Sequence, residues 1–155
     1  MSDVPSMSLT IGAATLGDLD DAAELFDAYR QFYGQAAAYD AGRAFLQQRL
    51  ERGESVILIA RREPEAVGFV QLYPLFSSVS MQRIWLLNDL YVSESARRTG
   101  VGTALLDAAC EHGARTGGRL RLELATATTN TAAQQVYASN GWTRDDVFMH
   151  FQRNM

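Results

Sequence analysis

The chain has few residues that could build a disulfide, a metal centre or a membrane anchor. It contains one cysteine, Cys110, which excludes an internal disulfide, and neither Cys110 nor the two histidines have a partner at zinc-ligand spacing. The position of Cys110 inside a predicted helix favours a small buried side chain over a nucleophile. The longest apolar runs, such as residues 56–60, are far too short to cross a bilayer, and residues 1–8 lack the basic and apolar regions of a signal peptide. We therefore expect a soluble cytoplasmic protein with no bound metal.

The charged residues are more often acidic than basic. With 18 Asp and Glu against 14 Lys and Arg, the formal net charge is −4. Such a surface does not favour binding to nucleic acid or to an anionic membrane, whereas a cationic substrate is compatible with it. An acidic run at residues 18–27 lies near the predicted start of a helix, where acids favour a solvated helix face over a substrate patch.

Length and hydrophobic content favour one α/β domain. The 155 residues, 47% of them hydrophobic, suit a single domain spanning residues 1–155, with residues 1–7 as a flexible tail. Periodicity and turn residues predict helices at 15–34, 40–52, 100–115 and 129–139, and strands at 8–13, 54–61, 66–73, 83–92, 119–125 and 144–152. The strand, helix, strand order after residue 83 requires a parallel strand pair, because such a crossover connects parallel neighbours.

A glycine-containing loop follows the predicted strand 83–92. Gly100 and Gly102 have no side chains, so a bulky anion could lie directly on the backbone N–H groups of residues 98–103, at the positive end of the next helix. Two known phosphate motifs do not fit. A dinucleotide fingerprint needs a third glycine where Leu105 stands, and a P-loop needs a lysine that is not there.

Two motifs in this order resemble those of the GNAT superfamily of N-acetyltransferases. The first is Arg97-x-x-Gly100-x-Gly102, and the second is Asn130-x-x-Ala133-x-x-x-Tyr137-x-x-x-Gly141-Trp142. The resemblance extends from about residue 9 to residue 151. It implies a mixed sheet of six to seven strands with an antiparallel N-terminal half, parallel strands 83–92 and 119–125 that splay apart, and about four flanking helices. It also implies acetyl-CoA as the acyl donor, with no metal.

The resemblance places the cofactor in the gap between the splayed strands. The pantetheine arm would pair with main-chain groups of residues 90–92, because an exposed strand edge offers unpaired N–H and C=O groups. The pyrophosphate would lie on residues 98–103. The cofactor-binding residues implied in this way are Leu90, Tyr91, Val92, Arg97, Arg98, Thr99, Gly100, Val101, Gly102, Thr103, Asn130, Ala133 and Tyr137.

Asp89 and Tyr137 are the catalytic candidates. An acceptor ammonium, with a reference pKa of ~10.4, must lose a proton before it attacks, and an aspartate at ~3.9 is a weak base for it. Asp89 therefore binds the ammonium or relays a proton through water, or else it is only a hydrogen-bond acceptor at the strand end. Diamine acetyltransferases have a glutamate where this chain has Asn88. Tyr137 would stabilise the CoA thiolate, because proton transfer from a phenol is uphill by roughly 2 kcal/mol; core packing is the alternative.

The acceptor is expected to be a primary amine of a small metabolite, attacked directly in a ternary complex. Residues that could line its pocket are Tyr29, Tyr33, Tyr73, Asn88 and Asp89. A protein or peptide amine is the alternative acceptor, and a non-catalytic acyl-CoA sensor or assembly module is the alternative function. The apolar segment 72–86 also predicts a homodimer.

Overall fold

The computed structural model describes residues 7–116 and 122–155. Most of the predicted tail, residues 1–6, and residues 119–121 of a predicted strand lie outside the described residues. The chain divides into two compact units, of which the first extends to Ala125 and the second begins at Thr126. The elements of the first unit are β1 (Thr10–Ala13), α1 (Leu19–Phe32), α2 (Tyr39–Glu51), β2 (Val56–Arg62), β3 (Glu65–Ser77), β4 (Gln82–Val92), α3 (Val101–Arg115) and β5 (Leu122–Leu124). The second unit contains α4 (Thr131–Ser139).

The strands form one mixed sheet in the order β1-β2-β3-β4-β5. The pairs from β1 to β4 are antiparallel, and β4 pairs with β5 in parallel. The predicted α/β class, with its antiparallel N-terminal half and four α-helices, is therefore confirmed. Over the described residues the sheet has five strands, whereas six to seven were expected.

The missing strand is the predicted one at residues 144–152, which forms neither helix nor strand. The backbone N–H groups of Val147 and Phe148 donate to the Asp145 carboxylate at 2.9 and 3.2 Å. A local side-chain acceptor of this kind competes with strand pairing for the backbone donors. The apolar residues of this segment are compatible with a strand, and the sequence pattern does not show that Asp145 binds the backbone locally.

The first helix begins as its capping pattern predicts. The Thr15 side chain accepts a hydrogen bond from Gly17 N at 3.2 Å, and Thr15 N donates to the Asp18 carboxylate at 2.8 Å. This capping box opens a short 3-10 turn, and α1 continues from it. The apolar stripe of α1 packs on α2 and the sheet in a core made of Leu19, Ala22, Leu25, Phe26, Leu46, Ile57, Ile59 and Phe69.

Side chains of β3 alternate between the two faces of the sheet. Phe69 belongs to the core beneath α1, whereas Gly68 faces α3, where an added Cβ would lie 3.2 Å from side-chain atoms of both Val101 and Leu105. That Cβ would also lie 2.8 Å from the Tyr91 carbonyl oxygen, so only glycine fits there. The odd-numbered residues of β3 after Phe69 therefore point to the α1 and α2 face.

A β-bulge interrupts the pairing of β3 with β4. Gln71 pairs with Asp89, but the next residue, Leu72, pairs with Leu87, so Asn88 is the extra residue. A bulge bends the strand and increases its twist locally. The bend in β4 therefore begins at the position of the candidate catalytic aspartate.

Cys110 is exposed on α3, so the expectation of a buried side chain is wrong. Partial burial of the thiol, together with the nearby Asp107, still raises its pKa, which disfavours the nucleophilic thiolate. Among the described residues, no helix has the length and apolar character needed to cross a membrane.

Candidate active site

The site is built around an opening between β4 and β5. The parallel pairing runs only from Trp85 with Leu122 to Leu87 with Leu124, although β4 continues to Val92. Residues 88–92 therefore have no strand partner on that side within the described parts of the chain. This is the splay that the resemblance implies.

The amide groups of Leu90 and Val92 face this open edge. Ser93 N donates to Val67 O at 2.9 Å, towards β3. Because successive amides in a strand point to opposite sides, those of Tyr91 face β3, and those of Leu90 and Val92 face the gap. The Val92 carbonyl oxygen accepts a hydrogen bond from Arg97 Nε at 3.1 Å, which agrees with this direction. Leu90 and Val92 thus present the main-chain groups that an amide-bearing ligand could bind, and Tyr91 contributes its ring to the other face.

The glycine loop leaves space above the start of α3. Gly100, with φ of 86°, is the N-cap residue, and no side chain caps the helix. A Cβ at Gly102 would meet only Val92 Cγ2, at 3.9 Å. The first-turn N–H groups of a helix have no acceptors within the helix. The loop therefore fits a bulky anion such as a pyrophosphate. Val101 is buried and can offer only its main chain, whereas Thr103 is exposed.

Arg62 holds this loop from the end of β2. Its Nη1 donates to Thr99 Oγ1 at 2.9 Å, and its Nη2 donates to the Thr99 carbonyl oxygen at 3.1 Å. The Thr99 hydroxyl in turn donates to the Ala96 carbonyl. The Thr99 side chain, predicted to bind the cofactor, is thus already used in shaping the loop. Sequence reasoning missed Arg62, because nothing in the sequence connects a strand-end arginine with a loop 37 residues later.

The two arginines of the loop have different surroundings. The Arg97 guanidinium lies 5.3 Å from the ring centroid of Phe32 and 5.7 Å from that of Tyr91, and its Nε is bonded to Val92. Arg97 is therefore packed along the end of β4. Arg98 is exposed, as Arg97 is, and has a φ of 62°. Both arginines could therefore reach an anion at the loop, and they differ in that the Arg97 side chain is held by its contacts with β4 and α1.

Asp89 is buried, with 4% of its surface exposed, and both carboxylate oxygens accept hydrogen bonds. Gln71 Nε2 donates to Oδ2 at 2.7 Å, and Asn88 Nδ2 donates to Oδ1 at 3.0 Å. Gln71 lies opposite Asp89 on β3, so both side chains share the α1 and α2 face. Sequence reasoning missed Gln71, although a glutamine within the apolar strand at residues 66–72 is a visible signal.

Tyr73 lies on the same face, two residues beyond Gln71. Its pKa is raised from 10.0 to about 12, first by burial and then by the Asp89 charge, while Arg49 acts in the opposite direction. The Tyr73 hydroxyl therefore stays protonated at neutral pH and can donate a hydrogen bond but not accept a proton. The structure places Tyr73 and Asn88 near Asp89 and adds Arg49 to the group.

Aromatic rings extend this face towards solvent. The Tyr29 ring centroid lies 5.8 Å from that of Phe69, 6.4 Å from that of Tyr91 and 5.1 Å from that of Tyr33. Tyr33 is 50% exposed, whereas Phe69 is fully buried. The predicted pocket residues Tyr29 and Tyr33 thus belong to one cluster that joins the core to the surface.

The second unit carries the other motif. Asn130 is the N-cap of α4, and its side-chain oxygen accepts a hydrogen bond from Ala133 N at 3.1 Å. The cap is therefore Asn130 and not Thr129. Tyr137 lies 6.2 Å from Trp142 between ring centroids, and its carbonyl oxygen accepts from Trp142 N at 3.0 Å. The motif residues Tyr137 and Trp142 thus stabilise the end of α4.

This chain belongs to the acetyltransferase (GNAT) family, whose sequence pattern matches residues 19–142. The uncharacterized N-acetyltransferase YhfO of Bacillus subtilis (strain 168) is 45% identical over 147 residues, which cover 95% of this chain and 98% of that protein. The crystal structure of a probable acetyltransferase superposes with a TM-score of 0.88 at 42% identity, covering 94% of this chain and 97% of the other. The aminoglycoside N(6′)-acetyltransferase type 1 of Klebsiella aerogenes is 35% identical over 101 residues, which cover 64% of this chain and 66% of the relative. The chain is therefore an N-acetyltransferase, in a family of acetyl-CoA-dependent acyltransferases.

Proposed function

We propose that this chain transfers the acetyl group of acetyl-CoA to a primary amine of a small metabolite. The observation that carries the proposal is the position of Asp89. Its carboxylate is buried and hydrogen-bonded, and it lies one residue before the open edge formed by Leu90 and Val92. A carboxylate beside that edge would meet an ammonium beside the acetyl group. The similarity to an aminoglycoside N(6′)-acetyltransferase supports a small-molecule amine as the acceptor.

The first step is binding of acetyl-CoA along the gap. The pyrophosphate would accept hydrogen bonds from the N–H groups of residues 98–103, and the exposed Arg98 would add positive charge. The pantetheine amides would pair with the main chain of Leu90 and Val92. When bound, acetyl-CoA supplies a thioester whose carbonyl carbon bonds to the amine nitrogen as the bond to sulfur breaks.

The residues of the chain would hold charge and protons during this transfer. A main-chain N–H at the open edge would stabilise the negative charge that develops on the thioester oxygen. Asp89 would bind the ammonium, and the proton that the amine loses would pass to water. Tyr73, kept neutral by its raised pKa, would act only as a hydrogen-bond donor to the acceptor.

Tyr137 would stabilise the leaving group, which is the CoA thiolate. Its hydroxyl would donate a hydrogen bond to the CoA thiolate, and water would complete protonation of the sulfur. Full transfer from a phenol at ~10 to a thiolate at ~8.5 costs roughly 2 kcal/mol, so stabilisation by the hydrogen bond is the main effect.

The proposal is tested by following free CoA thiol with acetyl-CoA and a panel of primary amines. The panel contains a diamine, an amino acid, an aminoglycoside and a lysine-containing peptide. Thiol release that depends on one of the small amines supports the proposal. A rate with every amine equal to the rate without amine would contradict it, and dependence on the peptide alone would favour a protein acceptor.

We propose in addition that the chain forms a homodimer through segment 72–86. The tip of the β3 and β4 hairpin exposes four apolar side chains, with exposed fractions of 40% for Leu75, 73% for Phe76, 99% for Val79 and 89% for Met81. Contiguous exposed apolar surface of this kind marks an interaction site, and a second copy of the chain is the commonest partner.

A further inference from the structure

Gln71 is a polar residue at a position where the fold calls for an apolar one. It is fully buried in β3, and its neighbours Val70 and Leu72 are fully buried as well. An apolar side chain there would extend the core, whereas a buried amide stabilises a fold only if its polar atoms are paired. The presence of Gln71 therefore requires a reason other than packing.

Only half of the Gln71 amide is paired. Its Nε2 donates to Asp89 Oδ2 at 2.7 Å, but its Oε1 is buried and has no hydrogen-bond partner among the described residues. The opposite orientation of the amide would place Oε1 against the carboxylate, so that two acceptors would face each other. Asp89 thus fixes the orientation of Gln71 and leaves Oε1 without a donor.

An unpaired buried carbonyl destabilises the folded state, so the pair is poor as a stabilising device. Its effect on the carboxylate is specific, however. Gln71 binds one oxygen of Asp89 and Asn88 binds the other, which fixes both the position and the rotation of the carboxylate. Of these two donors, Gln71 is the rigid one, because it is buried whereas Asn88 is exposed.

We infer that Gln71 is a positioning residue for acetyl transfer, which holds the Asp89 carboxylate in the orientation that binds the acceptor amine. This inference rests on the proposed function, since it assigns the role of Gln71 to the amine contact of Asp89. It goes beyond that function by placing part of the acceptor site on β3, in a residue that does not itself touch the amine.

The first test compares Gln71→Met with Leu72→Met, using the amine of the panel with the highest kcat/KM. Both variants place a methionine at a fully buried position of β3, and only the first removes a donor from Asp89. We expect Gln71→Met to lower kcat/KM for the amine by roughly tenfold to a hundredfold, as for loss of one hydrogen bond to a charged group. The Kd of acetyl-CoA should stay within about twofold of wild type. Leu72→Met should leave both unchanged.

Two outcomes of this comparison would overturn the inference. One is an unchanged kcat/KM for the amine in Gln71→Met. The other is equal loss of amine turnover and acetyl-CoA binding, which would indicate general disruption of the sheet. Inactivity of the wild-type enzyme with the whole panel would instead contradict the proposed function and leave the next test to decide the role of Gln71.

The second test measures stability and does not depend on activity. Replacement of both partners, in Gln71→Met with Asp89→Leu, removes the unpaired carbonyl and the buried carboxylate together. If Gln71 and Asp89 serve catalysis and not stability, the double variant should have a Tm equal to or above that of wild type. Asp89→Leu alone should have a lower Tm than the double variant. A double variant with a Tm below that of wild type would show that the pair stabilises the fold and would overturn the inference.

Discussion

Arg62 and Thr99 join the end of β2 to the glycine loop by two hydrogen bonds, of 2.9 and 3.1 Å. The loop contains Arg98 and Gly100, both with positive φ, so its conformation depends on contacts outside it. Arg62 therefore shapes the anion site through its bonds to Thr99 and does not itself contact the anion.

The first prediction concerns this arginine. Arg62→Ala should raise the Kd of acetyl-CoA by up to about tenfold, because the loop must then be ordered on binding. At saturating acetyl-CoA, kcat should be nearly unchanged. Isothermal titration calorimetry measures the Kd, and Arg83→Ala, which removes an exposed arginine stacked on Phe76 and Trp85, is the matched control. Equal affinities in the two variants would show that the loop keeps its shape without Arg62.

The second prediction separates binding from stability at the helix start. Gly102→Ala should keep or raise the Tm, because its Cβ would make an ordinary contact at 3.9 Å and alanine favours helix by roughly 0.5–1 kcal/mol. The methyl group should nevertheless raise the KM for acetyl-CoA by crowding the pyrophosphate. Gly100→Ala, at a φ of 86°, should lower the Tm instead. Unchanged KM in Gly102→Ala would remove this helix start from the cofactor site.

The third prediction uses the Tyr73 hydroxyl as a probe of the Asp89 charge. Asp89→Asn should lower the pKa of Tyr73 from about 12, but burial, the larger cause, should keep it above 10.0. The tyrosinate absorbance titration of each protein, minus that of its Tyr73→Phe counterpart, isolates this group. A Tyr73 pKa that does not move would show that the two side chains are not electrostatically coupled.

The same raised pKa makes stability depend on alkaline pH. Between the ordinary pKa of 10.0 and the folded pKa of about 12, the unfolded chain binds fewer protons at Tyr73 than the folded chain. The free energy of unfolding therefore falls as pH rises through this window, and Tyr73→Phe should lose that part of the decline. Urea unfolding at pH 9 and above, compared between the two proteins, measures it; parallel curves would contradict the assignment.

The fourth prediction assigns Tyr137 to the leaving group. Tyr137→Phe should lower kcat by roughly tenfold or more, while KM values change little, because the hydroxyl acts on charge that exists only as the thiolate departs. Single-turnover thiol release measures the effect. Tyr39→Phe, at the start of α2, is the control. Full activity in Tyr137→Phe would contradict this role of the hydroxyl.

The fifth prediction tests the homodimer. Phe76→Glu should convert a dimer into a monomer in size-exclusion chromatography with light scattering, because a charge cannot be buried unpaired in an apolar interface. Phe151→Glu, at another exposed aromatic residue outside segment 72–86, should leave the dimer intact. A wild-type protein that is monomeric at every concentration would exclude this interface.

The sequence predicts the elements of this fold better than it predicts their contacts. The Thr15 capping box, the glycine loop and the parallel strand pair all follow from local patterns, and the structure contains them. The strand predicted at 144–152 is wrong because the Asp145 side chain binds nearby backbone donors, a competition that the pattern of apolar residues does not show. The expectation of a buried Cys110 is wrong because it depended on how often free cysteines are buried in general and not on the position of this residue on its helix.

In the candidate site, too, the sequence indicates individual residues better than it indicates their partners. Asp89 is a candidate because of its place in the motif that resembles the family, but Gln71 and Arg62 have no such signal, because each acts on a residue far away in sequence. The partner of Asp89 depends on the cross-strand register, and that register depends on the bulge at Asn88. A single sequence contains no signal for such a register shift.

The bulge at Asn88 acts as a phase shift in β4. In a regular strand Leu87 and Asp89 would share a face, but here Leu87 pairs with Leu72 on the α3 side and Asp89 pairs with Gln71 on the α1 side. The extra residue Asn88 thus lets Leu87 face the α3 side of the sheet while Asp89 faces the α1 side, where the candidate acceptor site lies. If Asn88 instead paired with Gln71 as a regular strand residue, residues 89–92 would exchange directions as a block, turning the Asp89 carboxylate towards α3 and the amides of Leu90 and Val92 away from the gap. The position of the acceptor site and that of the cofactor edge are therefore set by the same residue and cannot change independently.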